Sequence, residues 1–118
     1  MTIPSNTIKI GNNLVGIIAG IMKILNTPLI ESACKRHVDA SGPLQNWCLA
    51  VERADWNDPQ ELKERYPSAS IVRGDLVVFN IKGNSYRLVA RINFRKRLVY
   101  VRFFGTHKEY DRIKVEEV

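Results

Sequence analysis

The sequence predicts an α+β fold in which an N-terminal strand and helices pack on a C-terminal antiparallel sheet. In the first part of the chain, apolar side chains recur at helical spacing, as in Leu44, Trp47, Cys48 and Val51. After Pro67 the period changes from helical to alternating, interrupted by turn-forming clusters such as Lys82-Gly83-Asn84-Ser85. A strand turns successive side chains to opposite sides, so one face of the sheet can pack on helices while the other meets solvent. A chain of 118 residues can build one such two-layer core without metal or disulfide support.

The elements follow in order. Residues 22–26 read as a short strand, and Thr27-Pro28 as a helix start with an oxygen-bearing cap and Pro at the first helical position. That helix should run to about His37, which is expected to be a solvated terminal residue. Ser41-Gly42-Pro43 should restart the chain before a second helix whose apolar stripe makes Trp47 a core residue. Asp58-Pro59-Gln60-Glu61 is a capping box that opens a third helix, stopped by Pro67. Pro67-Ser68-Ala69-Ser70 reads as a turn, and strands are expected at 76–81, 86–94 and 98–104. In the middle one, Arg87, Val89, Arg91 and Asn93 share a face, opposite Leu88, Ala90 and Ile92.

Hydrophobic residues make up 45% and charged residues 25%, the proportions of an ordinary folded domain and not of a disordered or membrane chain. The apolar stretch from Leu14 to Met22 is about half a membrane span and ends at Lys23, with neither a basic n-region nor a clear cleavage site. Cys34 and Cys48 are too few for a disulfide scaffold, and with no secretion signal they fit a reducing, cytoplasmic setting.

The net charge of +6 is unevenly placed. Residues 1–72 balance seven basic against seven acidic residues. Between Arg73 and Phe104, eight basic residues (Arg73, Lys82, Arg87, Arg91, Arg95, Lys96, Arg97, Arg102) face the single acid Asp75. Such a concentration gathers phosphates and makes binding sensitive to salt, although a solvated sheet face would look the same in sequence.

Three separated runs, ADWNDPQELKERYPSAS (Ala54 to Ser70), VVFNIKGNSYRLV (Val77 to Val89) and VRFFGTHKEYDRI (Val101 to Ile113), resemble the HigB-type toxins. These are members of the wider RelE-like superfamily of bacterial toxin–antitoxin systems. The likeness covers about Met22 to Ile113 in one order. It implies the RelE-like two-layer fold and a ribosome-associated, metal-independent mRNA endoribonuclease. It also implies neutralisation by a helix-turn-helix antitoxin of the HigA type, with no cofactor and no membrane partner. Members of the family open with Met and a basic residue before an apolar strand, which here is Met22-Lys23-Ile24-Leu25. Residues 1–21 therefore form an extension outside the likeness, a start-site artefact or a tail, and 22–118 the toxin domain.

Metal-free RNA cleavage needs a base for the 2′-hydroxyl proton, cations for the crowded phosphorane and an acid for the leaving 5′-oxygen. The sequence has no cluster of acids, histidines and cysteines at metal-ligand spacing, which disfavours a two-metal nuclease. Arg87 is the first choice for the phosphate, because its fork can hold two non-bridging oxygens and YRLV matches the functional arginine of RelE-like toxins. His107, in GTHKEYD after a turn-like Gly105-Thr106, offers an imidazole, a side-chain type that can give or take a proton without an extreme environment. Tyr110 could stack on a base or donate a proton, or its ring could close the core. Lys82 could act as a general base or, preferably, as a phosphate contact. Arg73, Arg91, Arg102 and Lys108 complete the expected RNA-binding set, with the face of Arg102 left open by the unknown strand register. RelE itself uses lysines, arginines and a C-terminal tyrosine, so acid and base are not assigned by likeness. A toxin relative that binds RNA without cutting it, and a protein-interaction domain with a basic face, are the competing readings.

Overall fold

The computed structural model describes residues 21–118, so the expectation for residues 1–21 lies outside the described residues except at Ile21. The described chain opens with β1 (Lys23–Leu25), α1 (Thr27–Arg36), α2 (Val38–Glu52) and α3 (Pro59–Arg65). There follow β2 (Ser70–Arg73), β3 (Leu76–Ile81), β4 (Tyr86–Asn93), β5 (Leu98–Thr106), α4 (His107–Asp111) and a 3-10 turn at Val115–Glu117. The expected α+β architecture is what forms. One five-stranded sheet has the order β1-β5-β4-β3-β2, with β1 parallel to β5 and the other neighbours antiparallel.

Several boundaries differ from the sequence reading for local reasons. Asn26, at φ +74°, takes the N-cap position of α1 without a side-chain cap bond, which leaves Pro28 at the second helical residue. Its amide instead donates to the Val101 carbonyl at 2.9 Å and ties the end of β1 to β5. Asn tolerates this left-handed backbone better than most residues do.

The break between α1 and α2 falls at His37 (φ −127°, ψ 78°), and α2 runs straight through Ser41-Gly42-Pro43. Pro43 lacks the N–H that would bond the Asp39 carbonyl, an interruption that sequence reading takes for a stop. Burial of Ala40, Leu44, Trp47 and Val51 on one side of α2 outweighs it, each large apolar side chain contributing roughly 1.5–3 kcal/mol. α3 starts as expected, with Asp58 Oδ1 accepting from the Glu61 N–H at 3.0 Å. The Glu61 carboxylate, however, accepts from the N–H of Asn57, not of Asp58, at 2.8 Å.

β2 occupies residues beyond the expected turn, too short an apolar run (Ile71-Val72) to register as a strand. β5 continues to Thr106, so Gly105-Thr106 is strand and not turn.

The main core lies between the helices and one sheet face. Trp47 packs edge-on against Phe79 at 5.2 Å between ring centres, as Tyr66 does at 5.3 Å. A smaller apolar cluster lies on the opposite face, where Leu76, Val78 and Val89 are buried beneath Phe103, Tyr110, Val115 and Val118. The arginine-bearing face of β4 is therefore partly roofed by α4 and the chain that follows it.

Candidate functional site

The pairing of β4 with β5 sets Arg87 opposite Gly105 and Tyr86 opposite Thr106. His107, the next residue, donates its backbone N–H to the Ser85 carbonyl at 3.1 Å. The Lys82–Ser85 turn, the start of β4 and the first residue of α4 therefore meet at one end of the sheet. Arg87 and His107 lie at the same end, two positions apart in register.

α4 starts at His107 because Thr106 and Glu109 form a capping box. Thr106 Oγ1 accepts from the Glu109 N–H at 3.1 Å, and Glu109 Oε1 accepts from the Thr106 N–H at 2.8 Å. The second bond holds the Glu109 carboxyl below its ordinary range, with the nearby His37 and Arg36 adding to the effect. Gly105 makes room for this arrangement. A β-carbon there would stand 2.6 Å from Glu109 Oε1 and 2.8 Å from Phe103 Cζ.

Arg87 is half-buried, and its guanidinium is aimed by neutral acceptors. Nη1 donates to the carbonyls of Asn84 (3.1 Å) and Tyr86 (3.3 Å), and Nη2 donates to Asn84 Oδ1 at 2.9 Å. It has no acidic partner among the described residues. The side chain is thus held in place while its charge remains available for an anion. His107 is exposed, and its Nε2 lies 3.8 Å from Asp111 Oδ1, one helical turn on.

Lys82 turns the other way. Its Nζ donates to Asp39 Oδ2 at 2.9 Å, on the helical layer, while Asp39 Oδ1 accepts from the Tyr86 hydroxyl at 2.7 Å. The hydroxyl of Tyr86, followed by the Lys82 ammonium, pulls the Asp39 carboxyl below its ordinary range, and the same bond pushes the Tyr86 phenol up. The His37 ring lies 5.0 Å from Tyr86 and 5.9 Å from Phe104, while Tyr86 and Phe104 stack at 5.2 Å. His37 is accordingly half-buried at the α1–α2 joint and not a solvated end. Sequence reasoning missed Asp39 and misjudged His37, because both gain their partners from strands more than forty residues away.

The remaining expected residues are dispersed. Tyr110 sits on α4 with its ring 6.4 Å from Phe103, in the outer apolar cluster. Lys108 is exposed on α4. Arg91 is four residues along β4 from Arg87, ~13 Å at strand rise, and its guanidinium is engaged elsewhere. Its Nη1 pairs with Asp75 Oδ2 at 3.0 Å, while Arg73 lies 3.8 Å from Asp75 and donates to the Glu116 carbonyl at 3.2 Å. Arg102 is the extra residue of a bulge in β5, exposed, with its guanidinium 4.9 Å from the centre of the Tyr100 ring. The expected continuous basic face is thus two basic patches separated by the outer apolar cluster. Arg97 belongs to neither, since it clamps the Trp56 carbonyl, Asn57 and Asp55.

Among the described residues, no group of three or more His, Cys, Asp or Glu side chains is placed to hold a metal ion, and no helix is long and apolar enough to cross a membrane.

The fold and this sheet end define a small basic α+β protein in which an arginine without an acidic partner among the described residues shares one sheet end with an exposed histidine. Comparison with known proteins carries the assignment further. The HigB_toxin family model, described as the RelE-like toxic component of a toxin–antitoxin system, matches residues 40–113, and the chain belongs to that family. It is similar to the mRNA interferase HigB of Escherichia coli O6:H1, with 23% identity over 94 residues, 78% of this chain and 91% of the relative. The mRNA interferase toxin HigB of Escherichia coli K12 is 27% identical over 92 residues, 76% of this chain and 88% of the relative. The Shigella flexneri mRNA interferase HigB matches to the same extent.

Proposed function

We propose that the protein is an endoribonuclease toxin that cuts mRNA presented in the ribosomal decoding site, and that the hairpin end of the sheet is where it cuts. The observation that carries this reading is the β4–β5 register, which puts Arg87 and His107 at one sheet end with the arginine's charge unspent. In the reaction, the ribose 2′-oxygen attacks phosphorus and loses its proton to a base. The bond to the 5′-oxygen breaks and that oxygen gains a proton, leaving a 2′,3′-cyclic phosphate and a 5′-hydroxyl. Arg87 stabilises the non-bridging oxygens, and His107 carries one of the two protons. Lys82, held by Asp39, and Tyr110 contribute at the edges of the site. Arg73, Arg91, Arg102 and Lys108 supply phosphate contacts, and no metal takes part. The partner is a helix-turn-helix antitoxin of the HigA type, and the protein works in the cytoplasm.

Primer extension on a translated mRNA tests this reading. Expression of the chain should create new 5′ ends, and His107→Ala or Arg87→Ala should reduce them at least 100-fold while antitoxin binding persists. RNA bound without any new ends would instead identify a non-catalytic relative.

A further inference from the structure

At the end of the sheet away from His107, a cavity of ≈ 510 Å³ opens on the arginine-bearing face, lined by Arg91, Asp75, Arg95, Leu25, Leu98 and Tyr100, among others. Tyr100 is the exposed aromatic of this face, with 42% of its surface open, a large value for a ring in a paired strand. It sits directly opposite Arg91 in the sheet. Arg102 covers one side of the ring at 4.9 Å and takes no part in lining the cavity, whereas Tyr100 does line it. Asp75 engages both Arg91 and Arg73, whereas Arg95 has no ion pair among the described residues.

We propose that this cavity is a nucleotide subsite, in which one unpaired base of single-stranded RNA stacks on the open side of Tyr100. The flanking phosphate lies against Arg95. The result is a layered stack of guanidinium, phenol and base, a recurrent way of holding single strands without a base-edge code. The exposed ring, more than the charge, favours RNA over an acidic peptide. With Asp75 tying up two arginines, the cavity offers a polyanion little beyond Arg95, whereas the ring offers every base a stacking face. Arg91 and Arg87 lie on the same face of β4, ~13 Å apart, so a strand a few nucleotides long can touch both patches. The inference takes its ligand from the RNA-cutting reading and adds a second foothold to it.

The test uses the full chain carrying His107→Ala, which keeps RNA intact, and a fluorescein-labelled unstructured RNA oligonucleotide. Tyr100→Ala should weaken binding roughly 10-fold, by the same factor at low and high salt, whereas Tyr100→Phe should stay within about 2-fold of the parent. Arg95→Ala should instead lower the slope of log affinity against log salt by about 1. A 2-aminopurine base in the RNA should be quenched by the parent protein and not by Tyr100→Ala, a readout that needs no comparison of stability. Unchanged affinity in Tyr100→Ala, equal weakening by Tyr100→Phe, or absence of quenching on the parent overturns the subsite and leaves the cutting site standing. Loss of antitoxin binding in place of RNA binding also overturns it and marks the cavity as a protein surface. If the parent binds no RNA at all, the subsite falls, while the RNA-cutting reading, whose substrate is presented on the ribosome, stands or falls on the primer extension.

Discussion

Gly105 shows how one missing atom arranges the site. Its position under Glu109 and beside Phe103 leaves no space for a β-carbon, and Glu109 cannot swing aside without giving up its bond to the Thr106 N–H. Gly105→Ala should therefore cost about 1–3 kcal/mol in urea unfolding and uncap α4. It should lower RNA cleavage more than Lys108→Ala does. Asp39 makes a second residue-scale prediction. Its carboxyl is lowered, chiefly by the Tyr86 hydroxyl and then by Lys82, so its stabilising effect is full above the ordinary carboxylate range and is lost as pH falls through the lowered value. Glu109 follows the same sign. Thermal unfolding should show stability falling below about pH 4, and Asp39→Asn should flatten that fall. Asp39 was invisible in the sequence because its partners come from a hairpin remote in the chain. The motifs around Arg87 and His107 singled them out, and the strand register sets both at one sheet end.

α2 is the element that binds the two layers together. Trp47 and Phe79 meet edge to face beneath it, with Trp47 3% exposed and its indole N–H lacking a partner among the described residues. Trp47→Ala should lose about 3–5 kcal/mol, the cost of a large cavity. Trp47→Phe should lose less than about 1.5 kcal/mol, since it keeps a ring and removes the unpartnered donor. Chemical denaturation of the two variants checks the contrast. The helical stripe that identifies Trp47 as core was plain in the sequence. The uninterrupted course of α2 was not, because Gly42-Pro43 is a local signal for ending a helix, and only burial of its apolar side overrides it. β3 and β4 were legible because alternation and a glycine turn agree there, whereas β2 is defined by pairing with β3 and has little pattern of its own.

Across the whole molecule, the sheet is covered fully on one side and partly on the other. The segment after α4 lays Val115 and Val118 on Leu76, Val78 and Val89, and Arg73 and Arg91 donate to the carbonyls of Glu116 and Val118. Deleting residues 114–118 should lower stability by about 1–3 kcal/mol and increase binding of a hydrophobic dye. The sequence carried a hint of this arrangement, since Val89 stands between Arg87 and Arg91 on the face that carries the arginines. A valine there requires a cover, and the residues that supply it lie in a short C-terminal stretch with no periodicity.

The parallel pairing of β1 with β5 joins Lys23 to Leu98, close to the two ends of the described chain. During synthesis, β1 leaves the ribosome early and must wait for β5 before it can dock, while β3, β4 and β5 close on one another through short turns. The nascent protein therefore completes its sheet only once β5 has emerged, so the earliest strand to be made is the last to dock.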